Sequence, residues 1–167
     1  IKKMMIADVE VGCFLSGGVD SSVIATLMQK NSNKKIKTFT VGFSEKKYNE
    51  ADFARKIADY IGSDHNEIIV SMDDMIKNID GIIDQYDEPF SDSSCLPTGL
   101  ISKYASKKVK VVLSGDGGDE IFLGYNRYLY AKKIKFLSAI LSKGKRSFLK
   151  KIVDLFPVNF LDYLSSP

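Results

Sequence analysis

The sequence predicts an α/β fold: a parallel sheet with helices on both faces, followed by a helical C-terminal extension. Three observations carry this. Four short runs rich in β-branched residues recur along the chain, and apolar residues spaced three and four apart fill the intervals between them. The two glycine-rich segments each follow such a run and open a helical pattern. Strands separated by helices of that length form parallel β-α-β units, with helices packing on both faces of one sheet. The chain has 167 residues, 44% hydrophobic and 27% charged, a globular composition long enough to bury a core.

The first strand run, Asp8 to Leu15, becomes wholly apolar toward its end. Ile36 to Phe43 reads as the second, Asn66 to Val70 as the third and Val109 to Leu113 as the fourth. Between them lie the helical spacings Val23, Ile24, Leu27 and Met28; then Phe53, Ile57, Ala58 and Ile61; then Met75, Ile79 and Ile82. Asn49 is the expected cap of the second helix and Gly62 its stop. Ligands of such sheets bind outside the carboxyl ends of the strands. The loops after Leu15, Val41 and Leu113 are therefore expected to open onto one edge, if these strands are neighbours. Beyond Leu123 the residues Tyr125, Tyr128, Tyr130, Ile134, Leu137 and Leu141 suggest a helix that Gly144 breaks, with another from Phe148 to Phe156. The expected division is a domain over residues 1–130 and a helical extension of the same domain over residues 131–167. Because the chain starts with Ile1 and ends on an apolar tail, further native sequence is expected beyond both ends.

No apolar run approaches the length that spans a bilayer, and the start lacks the layout of a signal peptide. Cys13, in an apolar run, and Cys95, in a polar loop, read as reduced thiols of a cytoplasmic protein. The net charge of +3 is unevenly spread: residues 1–120 carry −4 and residues 121–167 carry +7. The basic stretch from Ile121 to Val153 fits a solvated helix face turned toward the rest of the protein, an anion or an acidic partner. It lacks the interleaved aromatic residues of a nucleic-acid surface, so no nucleic-acid partner is expected.

The segment Ser16-Gly17-Gly18-Val19-Asp20-Ser21-Ser22 follows the first strand. Two glycines let the backbone bring successive N–H groups toward phosphate oxygens, and the helix starting near Asp20 adds its positive end. Ser16, Ser21 and Ser22 offer hydroxyls. No Gly-Lys-Ser/Thr is present, so this is not the Walker loop. Asp20 among phosphates makes chemical sense when a divalent cation bridges them; a plain serine- and glycine-rich turn with Asp20 as helix cap is the other reading. The segment Ser114-Gly115-Asp116-Gly117-Gly118-Asp119-Glu120 follows the last strand and opens a second helix. Asp20 and Asp119 would share a Mg²⁺ that neutralises a triphosphate and orients its pyrophosphate leaving group.

Ser-Gly-Gly-x-Asp-Ser resembles the pyrophosphate-loop (PP-loop) signature of the ATP pyrophosphatases, whose fold is adenine nucleotide alpha-hydrolase-like. The accompanying segments narrow the resemblance: residues 6–22, Thr38 to Phe43, Tyr48-Asn49-Glu50, Asp87 to Ser94 and Val111 to Tyr128 are similar to glutamine-hydrolysing asparagine synthetases. The resemblance covers about residues 4–130. It implies ATP-dependent amidation of aspartate to asparagine through a β-aspartyl-AMP, with release of AMP and pyrophosphate. It further implies that Ser16, Gly17, Gly18, Asp20 and Ser21 hold the pyrophosphate end of ATP. Phe14, Leu15, Val41, Ser114 and Gly115 would contact adenosine, and Asp20 and Asp119 would be the Mg²⁺ ligands. Phe14 and Val41 also read as plain core.

Asp116 stands where many members have a glutamate linked to adenylate formation; the carboxylate is retained and shortened by one methylene. Glu120, Tyr125 and Arg127 follow it, and Arg127 suits either bidentate pairing with a carboxylate or phosphate or a structural ion pair. Asp116, Glu120 and Arg127 are the candidate catalytic residues. The loop holding Asp87, Glu88 and Asp92 is expected to shape the amino-acid pocket, and His65 is expected at the surface. A family lysine and the N-terminal glutaminase domain have no counterpart in these residues, so the isolated chain is expected to be weakly active or inactive. The implied partners are aspartate, ammonia and that glutaminase domain; a homodimer stays open. Two other readings also stay open: an amidotransferase for another carboxylate, such as a sugar acid of surface-polysaccharide assembly, and a non-catalytic nucleotide-binding or interaction module.

Overall fold

A computed structural model describes residues 1–45, 49–86, 88, 92, 94–125, 128 and 130–131. The chain divides into two compact units, Ile1–Gly118 and Asp119–Pro167. The first unit contains strands β1 (Val11–Phe14), β2 (Lys37–Phe43), β3 (Asp64–Val70) and β4 (Val111–Leu113). They form one sheet in the order β3-β2-β1-β4, with every pairing parallel. Helices α1 (Val19–Lys30), α2 (Ala51–Ile61), α3 (Met72–Ile83) and α4 (Cys95–Ala105) connect them. The chain proceeds from β1 outward to β2 and β3, then returns through α3 and α4 to place β4 on the other side of β1. The strand order therefore reverses between β1 and β4, and a crevice forms where the loops leaving these neighbours diverge.

Successive residues of a strand point to opposite faces, and here both faces are covered. On one face Cys13, Leu15 and Leu113 pack with Ala25 and Met28 of α1 and Ala54 and Ala58 of α2. On the other, Phe39 packs with Ile101 and Ala105 of α4, joined by Phe14 and Val41. The alternation explains why Cys13 and Phe14, adjacent in sequence, serve different cores. Both cysteines are free thiols. Burial pushes the Cys13 thiol up to about 12, so it stays protonated and acts as a small apolar group.

The structure shifts several boundaries. β1 begins at Val11, not Asp8, and β4 at Val111, not Val109. The N–H of Val109 still donates to the carbonyl of Ala105, at 2.9 Å, as a continuation of α4, while its side chain is buried. β3 starts two residues earlier than its apolar pattern because its backbone pairs from Asp64 onward with Lys37. Glu50 is the N-cap residue of α2, yet Asn49 supplies the side-chain acceptor, taking the Ala51 N–H at 3.1 Å. Gly62 ends α2 in the left-handed region with φ of 72°. α3 opens with a capping box: Ser71 accepts from the Asp74 N–H and the Asp74 carboxylate accepts from the Ser71 N–H. The Ser71 hydroxyl, donating to the Asp74 carboxylate at 2.6 Å, and then the Ser71 N–H, at 2.9 Å, hold that carboxyl below the usual carboxylate range.

His65 is not a surface residue. It lies within β3 with its side chain only 13% exposed, because the pairing of β3 with β2 sets it beside Thr38. Its Nδ1 is 3.0 Å from the Thr38 hydroxyl, and its Nε2 has no hydrogen-bond partner among the described residues. Glu67, 3.8 Å away, is held by Arg55 at 2.9 Å. Burial lowers the His65 pKa from its ordinary 6.5; the charge of Glu67 opposes that and the charge of Arg55 adds to it. The neutral ring is thus favoured in the folded state. Stability is full above about pH 6.5 and is lost as pH falls from there through the lowered folded pKa. Urea midpoints measured between pH 7 and pH 5 are expected to fall for the unaltered chain and to fall less for His65→Gln. Parallel profiles would exclude this role.

The second unit begins within α5 (Gly118–Phe122). The helices expected beyond residue 131 and the body of the basic stretch lie outside the described residues. Among the described residues no helix is long and apolar enough to cross a membrane.

Candidate functional site

A cleft of about 810 Å³ opens at the carboxyl ends of β1, β2 and β4. Its floor is apolar, made by Phe14 and Leu15 at the end of β1 and by Phe39, Val41 and Phe43 of β2. One wall is the loop after β1, through Ser16, Gly18, Val19, Asp20 and Ser21; beside it stand Ser114, Gly115 and Asp116 after β4. The opposite wall comes from Met72 and Met75 of α3 and from Pro97, Thr98 and Ile101 of α4. The expectation that three strand-end loops share one edge is met by the β1 and β4 loops and by the end of β2. That end falls at Phe43, two residues past Val41.

The β1 loop is built by internal hydrogen bonds. The Ser16 N–H donates to Ser21 Oγ at 3.2 Å, the two hydroxyls lie 2.9 Å apart, and the Gly18 N–H donates to Ser16 Oγ at 3.2 Å. Ser21 Oγ also lies 3.2 Å from the Gly18 carbonyl, and Ser22 Oγ donates to that carbonyl at 2.6 Å. Gly17 adopts φ of 83°, and a Cβ there would sit 2.8 Å from the Ala54 N and from Phe53 Cβ. Only glycine suits both the turn and the close approach to α2. Gly18 then caps α1, whose first turn carries Asp20.

The β4 loop packs against the first. A Cβ on Gly115 would lie 2.9 Å from the Ser21 N, and one on Gly118 would lie 2.5 Å from Asp20 Cγ. The glycines of the second loop therefore leave room for the Asp20 carboxylate, which receives no hydrogen bond or ion pair from any described residue. Ser114 Oγ donates to Asp116 Oδ2 at 2.8 Å, aiming that carboxylate at the cleft rim. Four carboxylates line the cleft, Asp20, Glu45, Glu50 and Asp116, and no basic side chain is among the described lining residues. A polyphosphate would meet net repulsion there unless a divalent cation came with it. The open first turn of α1 fits the phosphates, and the Asp20 carboxylate fits such a cation.

Of the sequence-predicted residues, Phe14, Leu15, Ser16, Gly18, Asp20, Ser21, Val41, Ser114, Gly115 and Asp116 line this one cleft. Gly17 and Ser22 do not: Gly17 is spent on packing against α2, and the Ser22 hydroxyl turns back along α1. Asp119 and Glu120 belong to the second unit, in the first turn of α5, and the Glu120 carboxylate accepts from the Tyr125 hydroxyl at 2.7 Å. Arg127 and Asp87 lie outside the described residues. Asp92 Oδ1 accepts from the Ser94 N–H at 2.8 Å, which holds its carboxyl below the usual range, so it acts as a turn acceptor before α4. The wall from α3 and α4 was not foreseen. Met75 was legible as a helix residue, but nothing local marks which helix face borders a cleft.

The asparagine synthase family model matches residues 1–157. Asparagine synthetase (glutamine-hydrolysing) 1 of Bacillus subtilis is 37% identical over 153 residues, 92% of this chain and 24% of that protein. The asparagine synthetase (glutamine-hydrolysing) of Homo sapiens is 36% identical over 135 residues, 75% of this chain and 24% of that protein. The chain spans only 20–30% of the length of the first curated relatives it matches. The solved NH3-dependent NAD synthetase from Campylobacter jejuni subsp. jejuni is similar in fold, with a TM-score of 0.50 at 18% identity, covering 75% of this chain and 56% of that one. The two chains thus share a fold. With nearly its whole length matched by one family model, the chain belongs to the asparagine synthase family.

Proposed function

We propose that this chain is the ATP-using part of an asparagine synthetase, activating the aspartate side-chain carboxylate as β-aspartyl-AMP for displacement by ammonia. The observation that carries this reading is the meeting of the β1 and β4 loops over an acidic cleft with an apolar floor. An adenine ring suits the floor of Phe14, Val41 and Phe43 beside the two methionines of the opposite wall, since a flat apolar ring gains most from such burial. The phosphates would then run along the β1 loop toward Asp20, where the first-turn N–H groups of α1 and its dipole favour negative charge.

Asp20 would hold a Mg²⁺, with Asp119 proposed as a second ligand from the sequence pattern. When bound, the ion would offset phosphate charge and favour pyrophosphate departure. The remaining work is positioning: the Ser114 hydroxyl fixes the Asp116 carboxylate, which would orient the acceptor or its attacking nucleophile at the rim. In the full-length protein, ammonia would come from a glutaminase domain, as the glutamine-hydrolysing relatives suggest.

Exchange of labelled pyrophosphate into ATP tests acyl-adenylate formation without ammonia. With the full-length protein, aspartate is expected to drive exchange well above succinate, glutamate or an aminosugar acid. Exchange driven by a sugar acid and not by aspartate would replace this acceptor with another. No exchange with any carboxylate, with ATP still bound, would favour the non-catalytic module.

A further inference from the structure

We propose that Thr40 is a positioning residue for the nucleotide loop, acting with Ser21 as a two-sided clamp on the Leu15–Ser16 peptide. The inference rests on the ATP-binding reading above. The Leu15 N–H donates to the Phe39 carbonyl at 2.9 Å, a rung of the β1–β2 ladder carried one residue past β1. Here the chain leaves the sheet. The Leu15 carbonyl accepts from a side chain, Oγ1 of Thr40, at 2.5 Å. The other end of the same peptide unit, the Ser16 N–H, donates to Ser21 Oγ. One planar group is thus gripped at its carbonyl by β2 and at its N–H by α1.

Both gripping residues are buried, Thr40 at 2% and Ser21 at 7% exposure. A buried hydroxyl must spend its proton on an acceptor. Ser21 Oγ already accepts from the Ser16 N–H, and its single proton has Ser16 Oγ at 2.9 Å and the Gly18 carbonyl at 3.2 Å as takers. If that proton goes to Gly18, Ser16 gives its own to Ser21, and neither hydroxyl has one left for a phosphate. If it goes to Ser16, only the Ser16 proton remains free. In both arrangements Ser21 works inside the loop. Rotation of the Leu15–Ser16 peptide would swing every downstream N–H from Gly17 to Asp20, so the clamp fixes where those donors point. Valine at position 40 would match the shape and suit the strand, which makes the hydroxyl itself the informative group.

The test compares Thr40→Val, Thr40→Ser, Ser21→Ala and the double variant Thr40→Val/Ser21→Ala in the full-length protein. Readouts are the KM for MgATP, kcat for pyrophosphate release and the melting temperature. Losing one such hydrogen bond is expected to raise KM about 10-fold in Thr40→Val, while Thr40→Ser stays within about 2-fold of the unaltered protein. The double variant is expected to lose less than the product of the single losses, because both act on one peptide. If Thr40→Val does not fold, Thr40→Cys, similar in size with a weaker donor, takes its place. An unchanged KM in Thr40→Val, or no rescue by serine, overturns the positioning role. Multiplying losses in the double variant overturn the shared clamp. Failure of the unaltered protein to bind MgATP would instead remove the nucleotide reading, and the clamp with it.

Discussion

Asp20→Ala is expected to reduce ATP-dependent pyrophosphate release by roughly 100-fold or more, with little change in folding stability. The asymmetry follows from the carboxylate's surroundings. No described residue donates a hydrogen bond to it or pairs with it, and Glu45, Glu50 and Asp116 line the same cleft. The fold therefore gains little from this charge beyond its place in the first turn of α1, a term of about 0.3–1 kcal/mol. Asp20→Asn keeps the shape and removes the charge, so it should be nearly as inactive as alanine. The measurements are steady-state pyrophosphate release at saturating Mg²⁺ and urea unfolding of each variant. Activity within a few-fold of the unaltered protein would remove Asp20 from the metal-binding role.

Gly17→Ala is the substitution expected to damage the fold most at this site. Two costs combine. A non-glycine residue in the left-handed region loses about 1–2 kcal/mol, and the Cβ would press 2.8 Å from the backbone N of Ala54 and from Phe53 Cβ, where backbone must move. Overpacking of that kind costs about 1–3 kcal/mol, so a total of about 2–5 kcal/mol is expected. Gly62→Ala is the built-in comparison: its φ is 72°, but nothing lies within 4 Å of the added Cβ. It should show the conformational cost alone. Denaturant unfolding of the two variants separates strain from contact. Equal losses would mean that the loop does not pack on α2 as described. MgATP affinity should fall for Gly17→Ala and hold for Gly62→Ala, since only the first displaces the loop.

Much of the architecture was legible because it rests on local periodicity. The runs at 36–43 and 109–113 carry their β-branched pattern whatever they pair with, and Gly62 marks a helix end through its own backbone freedom. His65 was misread for the opposite reason. Its polar neighbours Asp64, Asn66 and Glu67 look like a surface segment, but the pairing of β3 with β2 puts the ring beside Thr38. The α3 and α4 wall was likewise hidden: Met72, Pro97 and Thr98 have no feature in sequence that distinguishes a cleft-facing residue from any other on a helix.

The sequence by itself determined that two glycine- and aspartate-bearing loops each follow a strand and open a helix, and that strands and helices alternate as in a parallel sheet. These are short-range properties, set by backbone freedom, capping and side-chain spacing within a few residues. Only the tertiary structure decided what those loops do to each other. The order β3-β2-β1-β4 makes β1 and β4 neighbours, pairing Val11 with Val111 and Gly12 with Val112, 100 positions apart in the chain, and so brings Gly115 and Gly118 against Ser21 and Asp20. It also turned Ser21 from an expected phosphate donor into a buried member of the loop's own hydrogen-bond network, and gave Thr40, an ordinary strand residue in sequence, the carbonyl of Leu15. Thr40 finds its acceptor through strand register across the sheet, 25 residues away in the chain, whereas the partners of Ser21 lie three to five residues away and depend on how the loop turns between β1 and α1.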